Sequence, residues 1–454
     1  MTALARVAAV AIAGAALYFA GIVNSIVIYK PSEIGSVLVV VAIAAALALL
    51  FAALRGTEHD ERAELRATRT VRAAWRITWA FISVMALVSL SWIYGAPRQH
   101  SYDFTPYHND AIALNECAAR LVLAGQDPYR SLDLFDCYGR AGIGPDRTTP
   151  LRRGAFAEVP IYPTDDQLDA AWASDQRTGR NEEFVWRPSY PALSFALLVP
   201  WVRAGWDTNA VYLGCLLAAM ALVLVRAARP LRPWLLTGLL GATSLAAFTV
   251  GGSSDLLYAL PLTAAWLWRE RRWTAVALAL ACATKQLAWF FVPFYLLQVA
   301  SRHGWREAAR RAAVAGGVFA VTNLPFVLAD PVAWAAGMAT PLAEPMFPRG
   351  AGLVLLSTNG VLPLLPGAAY LALEAITAAA ALGIAWRERR TSPEVGIVLA
   401  MVPLFFGYRS LFSYFFMLPL FAFAGIARLP AADLGPAAAR EAGALTLLAR
   451  PAEA

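Results

Sequence analysis

The residues best suited to chemistry are two aspartates in the segment 101–110, which reads SYDFTPYHND. Asp103 and Asp110 are seven residues apart, a spacing that places both on one face of a helix. Pro106 lies between them, so we expect the helix to begin there, with Asp110 in its second turn. One carboxylate would act as general base on an acceptor hydroxyl, with His108 as a rival base. The structural alternative is a helix N-cap and a solvated carboxylate.

Lys285 is the next candidate. It is one of only two lysines among 38 basic residues, and it lies in the apolar stretch 273–300. An ammonium group at the centre of a membrane helix costs at least about 2.5–3.5 kcal/mol, so such a residue is a functional hypothesis by default. A compact, strongly hydrated charge suits a phosphate. The alternative is a lysine whose long side chain reaches the membrane interface.

Other polar and aromatic side chains are candidates for binding phosphate or sugar, although the same residue types are common at membrane interfaces. They are Arg187, Arg349 and Arg409 for the phosphate, and Tyr107, His108, Trp186, Tyr190 and Tyr408 for the sugar or acceptor. The sequence contains no Gly-rich nucleotide loop, HExxH motif or zinc-spaced Cys/His cluster. We therefore expect no required cofactor and no metal site, while a divalent metal held jointly by Asp103 and Asp110 stays open.

The composition is that of a polytopic membrane protein. Apolar residues make up 59% of the 454 residues and charged residues 15%, against about 25% charged in soluble domains. About ten runs are long enough to cross a bilayer, which predicts an all-α bundle of about ten full spans plus short re-entrant helices. Basic residues fall in short clusters between apolar runs, so they indicate topology rather than nucleic-acid binding. We expect a monomer surrounded by membrane lipids.

Arginine clusters set the expected sidedness. The connection 55–76 carries six arginines, which places it in the cytoplasm and the long polar loop 95–187 outside. The apolar run that follows this loop is only about a dozen residues long, so we expect it to be re-entrant. The expected divisions are an extra N-terminal hairpin with a basic linker (1–76), a membrane catalytic domain (77–427) and a cytoplasmic tail (428–454).

The stretch 273–300 has arginines at both ends, so both ends are expected on the cytoplasmic side. Two half-helices broken at Ala283-Thr-Lys-Gln286 satisfy this requirement, and each would reach roughly 20 Å into the membrane. Non-helical backbone at that depth is tolerated only where it is buried in protein or lines a wet cavity. We therefore expect Lys285 to face a cavity that opens outward.

Four cysteines are too few for a disulfide scaffold. Cys117 and Cys137 share the polar loop, and they would pair if that loop faces an oxidising compartment. The alternative is two free thiols.

The order of these motifs resembles a known family. A span ending in Asp103-Phe-x-x-Tyr107, then Gly125-x-Asp-Pro-Tyr129, Arg187-Pro-x-Tyr-Pro191 and the Lys285 hairpin, is similar to the GT-C glycosyltransferases that use polyprenyl-phosphate sugars. The most similar branch contains the actinobacterial polyprenyl-phosphate-mannose-dependent mannosyltransferases. The resemblance covers about residues 77–427.

The resemblance implies an inverting transfer of mannose or another monosaccharide from polyprenyl phosphate to a lipid-linked or glycan acceptor. The reaction would take place on the extracytoplasmic side of the cell membrane. Matched by position, Asp103 would be the base and Lys285 the phosphate-binding lysine. The chain departs from the family pattern in its two extra N-terminal spans, its long insertion 130–185, and Gln286 in place of a frequent proline. Because of this insertion, the resemblance does not identify the acceptor.

Two other classes of function are compatible with the residues. A transporter or flippase of lipid-linked sugars would need polar side chains along a path to the cytoplasmic side, where the sequence shows arginine clusters. A non-catalytic scaffold with an external binding loop would give no role to a lysine within the membrane.

Overall fold

The computed structural model describes residues 3–55, 70–95, 109–246 and 253–429, with side chains described throughout except in 70–75 and 92–95. The regular structure in these ranges is helical apart from two short strands. The α-helices are α1 (Ala3–Tyr29), α2 (Glu33–Leu54), α3 (Thr70–Gly95), α4 (Asp110–Leu123), α5 (Pro128–Ser131), α6 (Leu134–Ala141), α7 (Asp165–Thr178), α8 (Leu193–Ala196), α9 (Val199–Ala204), α10 (Asn209–Arg226), α11 (Arg232–Gly241), α12 (Leu256–Leu267), α13 (Thr274–Thr284), α14 (Val292–His303), α15 (Trp305–Ala329), α16 (Pro331–Ala343), α17 (Val354–Thr358), α18 (Gly367–Glu388), α19 (Gly396–Leu399) and α20 (Leu418–Ile426). Two short strands, β1 (Arg349–Gly350) and β2 (Arg409–Ser410), pair in parallel.

Five of these helices, α1, α2, α10, α15 and α18, are long and apolar enough to cross a membrane. Helices α15 and α18 expose large apolar side chains, including Val321, Leu328 and Leu371. Such contiguous apolar surface needs a cover other than water, and lipid supplies one. The architecture is consistent with the predicted all-α membrane protein.

The N-terminal hairpin is part of the main core. Helix α1 packs along α2 and also against α11 and α20. A Cβ atom at Gly14 of α1 would lie 2.8 Å from the Cα of Ala242, so glycine allows the two backbones to touch at this position. Residues 3–54 therefore share one apolar core with the helices that follow the polar loop.

The stretch 273–300 folds back on itself, as the charge pattern predicted. Helix α13 ends at Thr284, Lys285 is extended, and a 3-10 helix over Gln286–Phe291 leads into α14. The hydroxyl groups of Thr274, at the start of α13, and Tyr295, on α14, are 2.6 Å apart. The two arms thus meet at the end away from Lys285, which lies at the tip.

The C-terminal apolar runs 394–407 and 411–427 do not form continuous helices. The first consists of a 3-10 turn at Pro393–Val395, α19, and a second 3-10 turn at Pro403–Phe406. In the second, α20 begins only at Leu418. Proline lacks a backbone N–H and is favoured at the first positions of a helix, so each proline restarts the helix rather than continuing it.

Residues 109–192, called the loop region below, have a second apolar core. Tyr138, Phe156 and Phe184 are buried in it together with Phe347. An antiparallel bridge joins Leu151 to Met346, so the segment that leads into β1 is fixed on the loop region. This packing places β1 and β2 beside residues of the polar loop.

Candidate functional site

Lys285 is buried and fully engaged. Only 7% of the residue is exposed, and its ammonium forms an ion pair with Asp255. The Nζ atom also donates a hydrogen bond to Ser254 Oγ (2.8 Å) and lies 4.4 Å from the centre of the Tyr190 ring. The break between α13 and the following 3-10 helix therefore places the Lys285 ammonium among polar and aromatic side chains.

Asp255 has no exposed surface and directly precedes α12. Ser253 Oγ donates a hydrogen bond to Asp255 Oδ2 (2.9 Å), and the Asp255 backbone N–H donates to Ser253 Oγ (3.1 Å). A buried carboxylate is stable when it is paired and hydrogen-bonded in this way. The short serine-containing turn thus fixes the counter-ion of Lys285.

The Tyr190 segment is held from two sides. Tyr129 donates a hydrogen bond to the Tyr190 carbonyl (2.6 Å), and Gln286, next to Lys285, donates through Nε2 to the Ser189 carbonyl. Asp127 in turn caps the short helix α5 that carries Tyr129. The Gly125-x-Asp-Pro-Tyr129 motif therefore positions the residues around Lys285.

Tyr190 is followed by the short helices α8 and α9, which occupy the run predicted to be re-entrant. Asn323 of α15 accepts hydrogen bonds from the Ala192 backbone N–H (3.0 Å) and from Trp334 Nε1 (3.2 Å). One buried amide thus ties the start of this run to two longer helices.

Arg349 and Arg409 are direct neighbours in the register of β1 and β2. The Arg349 guanidinium lies 3.9 Å from the centre of the Tyr162 ring, and Arg409 Nη1 donates to the Phe347 carbonyl (3.4 Å). A Cβ atom on Gly350 would lie 2.3 Å from the Ser410 carbonyl oxygen, so glycine permits this close strand pairing. Within the described ranges neither arginine forms an ion pair with a carboxylate.

Asp110 is the first residue of α4, which differs from its expected place in a second turn. Asn109 caps the helix by accepting a hydrogen bond from the Ile112 backbone N–H (2.9 Å). Asp110 Oδ1 accepts from the Ala111 N–H (2.8 Å), and Oδ2 accepts from Thr149 Oγ1 (3.1 Å). The carboxylate is half-buried and has a donor on each oxygen.

Two tyrosines connect these charges electrostatically. Burial raises the pKa of Tyr190; Lys285 opposes this shift, and Asp110 adds to it. Burial likewise raises the pKa of Tyr162, with Arg349 and Arg409 opposing and Asp110 adding. Lys285 thus contacts the Tyr190 ring and Arg349 contacts the Tyr162 ring, and the charge of Asp110 acts on both tyrosines.

The remaining candidates lie at or beyond the edge of this cluster. The Arg187 guanidinium lies 4.5 Å from the centre of the Trp186 ring. Tyr408 packs against Tyr370 at 5.7 Å between ring centres, and its carbonyl accepts from the Arg349 N–H (3.3 Å). The other three predicted residues, Asp103, Tyr107 and His108, lie outside the described residues.

Sequence reasoning missed four contributors: Asp255, Ser254, Tyr162 and Thr149. Asp255 was visible as a lone carboxylate in the turn 251–255 before an apolar run, but nothing in its spacing linked it to Lys285, thirty residues away. Tyr162 and Thr149 belong to the insertion 130–185, where the sequence carried no recognisable motif.

A disulfide joins Cys117 of α4 to Cys137 of α6 in the loop region. Among the described residues there is no cluster of three or more His, Cys, Asp or Glu side chains suited to a metal ion.

Comparison with family models, curated proteins and solved structures finds no match to this chain.

Proposed function

We propose that this chain is an integral-membrane glycosyltransferase of the GT-C type with about ten spans. It would transfer mannose or another monosaccharide from a polyprenyl-phosphate donor to an acceptor hydroxyl, with inversion. The site would face the extracytoplasmic side of the cell membrane. One observation carries the proposal: Lys285, buried at a helix break, contacts Tyr190, and Arg349, which forms no ion pair within the described ranges, contacts Tyr162, while Asp110 acts on both tyrosines through its charge.

The charges of this cluster suit a phosphodiester. Lys285 and Asp255 compensate each other, and Arg349 with Arg409 exceeds Asp110 by one positive charge. A polyprenyl-phosphate sugar is a phosphodiester with one negative charge. Guanidinium groups bind phosphate oxygens through paired hydrogen bonds, so Arg349 and Arg409 would bind the phosphate of the donor.

The charge balance is kept during transfer. The acceptor oxygen would form a bond to the anomeric carbon of the sugar, and the bond from that carbon to the phosphate oxygen would break. The electron pair would stay with the phosphate, which gains a negative charge, while the acceptor proton passes to an aspartate. Lys285, Arg349 and Arg409 would stabilise the developing charge on the leaving group. Asp103 is the proposed base, and Asp110 is the reserve.

The test compares Asp103→Asn and Asp110→Asn in a reconstituted assay with a polyprenyl-phosphate sugar. Loss of transfer in Asp103→Asn, with the protein folded, would support the assignment. Full activity there and loss in Asp110→Asn would move the base to Asp110. Asp165→Asn is the matched control, because Asp165 is also the first residue of a helix, α7, but is exposed and far along the loop region. Lack of transfer by the wild-type protein with every donor and acceptor would contradict the proposal.

A transporter or flippase of lipid-linked sugars is the rival function. It needs a polar path from the Lys285 cluster to the other end of the bundle. Helix α12, which begins beside Asp255, instead buries Leu256, Leu262 and Leu267 in an apolar core. Movement of lipid without formation of a glycosidic bond in the same reconstituted assay would favour the rival.

A further inference from the structure

The bundle has a second polar region at the end away from Lys285. Helix α12 begins beside Asp255 and ends at Leu267, so its twelve residues span roughly 18 Å at about 1.5 Å per residue. Leu267 and Trp268 line a cavity of about 890 Å³ at that far end. This volume is within the range of ligand pockets in proteins, about 300–1,000 Å³.

The cavity wall is strongly basic. Among the described residues, it contains six arginines, namely Arg6, Arg226, Arg271, Arg302, Arg390 and Arg428, and two carboxylates, Glu270 and Glu394. These side chains come from elements far apart in sequence, and the fold brings them to one cavity.

Both carboxylates already accept hydrogen bonds from arginines, namely from Arg269 outside the lining and from Arg302 and Arg428 within it. Glu394 accepts hydrogen bonds from Arg269 (2.6 and 2.8 Å) and from Trp266 Nε1 (2.8 Å). Glu270 Oε1 accepts from Arg302 (2.5 Å) and Arg428 (2.6 Å). The two carboxylates of the cavity wall are therefore already neutralised by neighbouring arginines.

Three of the lining arginines have no ion-pair partner among the described residues: Arg226, Arg271 and Arg390. They lie in the last turn of α10, in the turn after α12, and just beyond α18, respectively. Like charges gathered around one cavity repel each other, and an anion placed between them removes that repulsion. If these arginines served only to fix the topology, they would need to lie near the cytoplasmic face of the membrane. They would not need to line one cavity.

We propose that this cavity binds a phosphate-bearing anion, either the headgroup of an anionic phospholipid or a soluble phosphate compound. The arginine guanidinium is planar and matches phosphate oxygens with paired hydrogen bonds. The site is separate from the Lys285 cluster and does not depend on glycosyl transfer.

The test uses the purified full-length protein and two triple variants. The first, Arg226→Gln/Arg271→Gln/Arg390→Gln, removes the unpaired cavity arginines. The matched control, Arg229→Gln/Arg306→Gln/Arg387→Gln, removes three exposed arginines that do not line the cavity. These control residues lie after α10, at the start of α15 and in the last turn of α18, so both triples lose equal charge at the same end.

Two probes separate the sources of phosphate. Pyrophosphate is titrated in detergent against sodium chloride of equal ionic strength, with the melting temperature as readout. Phosphatidylglycerol or phosphatidylcholine is added in nanodiscs, and retained lipid is counted by native mass spectrometry. Stabilisation by pyrophosphate indicates a soluble ligand, and selective retention of phosphatidylglycerol indicates a lipid headgroup.

We expect at least one probe to bind the wild-type protein and the control triple equally, and the cavity triple at least ten-fold more weakly. Binding should persist in Lys285→Met/Asp255→Asn, because that pair lies at the other end of α12. Equal loss in both triples, loss in the Lys285 variant, or no preference of the wild-type protein for either probe would overturn the proposal.

Discussion

At the scale of single residues, Lys285 has two possible duties: to compensate the charge of Asp255 and to bind a phosphate. The two can be separated because both partners are known. Lys285→Met alone would leave a buried carboxylate without its counter-ion, which typically costs about 3–5 kcal/mol. Loss of activity in that single variant would therefore not reveal which duty had failed.

The double variant Lys285→Met/Asp255→Asn removes both charges and nearly preserves shape. We expect a melting temperature close to that of the wild-type protein, because a buried ion pair replaced as a unit costs little. We expect kcat/KM with a polyprenyl-phosphate sugar to fall roughly 10–100-fold, since a charged hydrogen bond contributes about 1.5–3 kcal/mol. Lys30→Met is the control, because Lys30 is the other lysine and is exposed. Activity restored by the double variant would show that Lys285 serves only the ion pair.

The loop region contains a buried pair of acids, Asp175 and Glu183. Burial, and next the charge of Glu183, raises the pKa of Asp175 from 3.8 to about 7. Glu183 Oε1 accepts a hydrogen bond from the Ala155 backbone N–H (2.8 Å). Asp175 therefore keeps its proton to a higher pH in the folded protein than in the unfolded chain.

Because of this pair, the stability of the folded protein should decrease as pH rises. A carboxylate paired with a cation has the opposite effect. The folded state holds the extra proton between about pH 4 and pH 7, so stability is greatest below this window and falls as pH rises through it. We expect the contribution of Asp175 to the stability of the wild-type protein to fall by about 2–3 kcal/mol between pH 5 and pH 8, measured by thermal unfolding. Asp175→Asn should abolish this loss. Asp169→Asn, on an exposed face of α7, should retain it; an unchanged pH dependence in Asp175→Asn would contradict the assignment.

At the scale of elements, the disulfide fixes α4, which begins with Asp110, to α6. The two cysteines are 20 residues apart, and closing a loop of that order contributes about 3 kcal/mol in chain-entropy terms. We expect the denatured protein to offer two thiols before reduction and four after it, measured by maleimide mass addition. Cys117→Ser/Cys137→Ser should unfold at a lower temperature, whereas Cys215→Ala/Cys282→Ala should leave the disulfide intact. Four reactive thiols without reductant would contradict the pairing.

Sequence patterns predicted the elements whose causes are local. The break at Lys285 followed from arginines at both ends of one apolar stretch, and the short helices after Pro191 followed from a run too short to span. The interruption at Pro403 was missed because the residues around it are apolar throughout. The ion pair between Asp255 and Lys285 could not be predicted from the sequence, because it depends on how α12 packs against α13 and not on any spacing along the chain.

At the scale of the whole molecule, the N-terminal hairpin belongs to the same core as the helices that hold the candidate site. Composition predicted a helical protein with helices long and apolar enough to cross a membrane, which the structure has, but composition does not predict that Gly14 contacts Ala242. The clusters of charged residues in the sequence also predicted that the two ends of the helix bundle differ in chemistry. One end carries the Lys285 cluster beside the loop region, and the other carries the arginine cavity.

These two ends should lie on opposite sides of the membrane, because arginine-rich connections stay in the cytoplasm. In a Cys215→Ala/Cys282→Ala background, Asp169→Cys places a thiol on α7 of the loop region, and Arg387→Cys places one in the last turn of α18; both positions are exposed. A membrane-impermeant maleimide applied to intact cells should label position 169 at once and position 387 only after permeabilisation. Wild-type protein and the background variant control for residual thiols. Labelling of position 387 in intact cells would show that the topology is the reverse of the predicted one. The candidate active site would then face the cytoplasm, which would contradict the proposed transfer on the extracytoplasmic side.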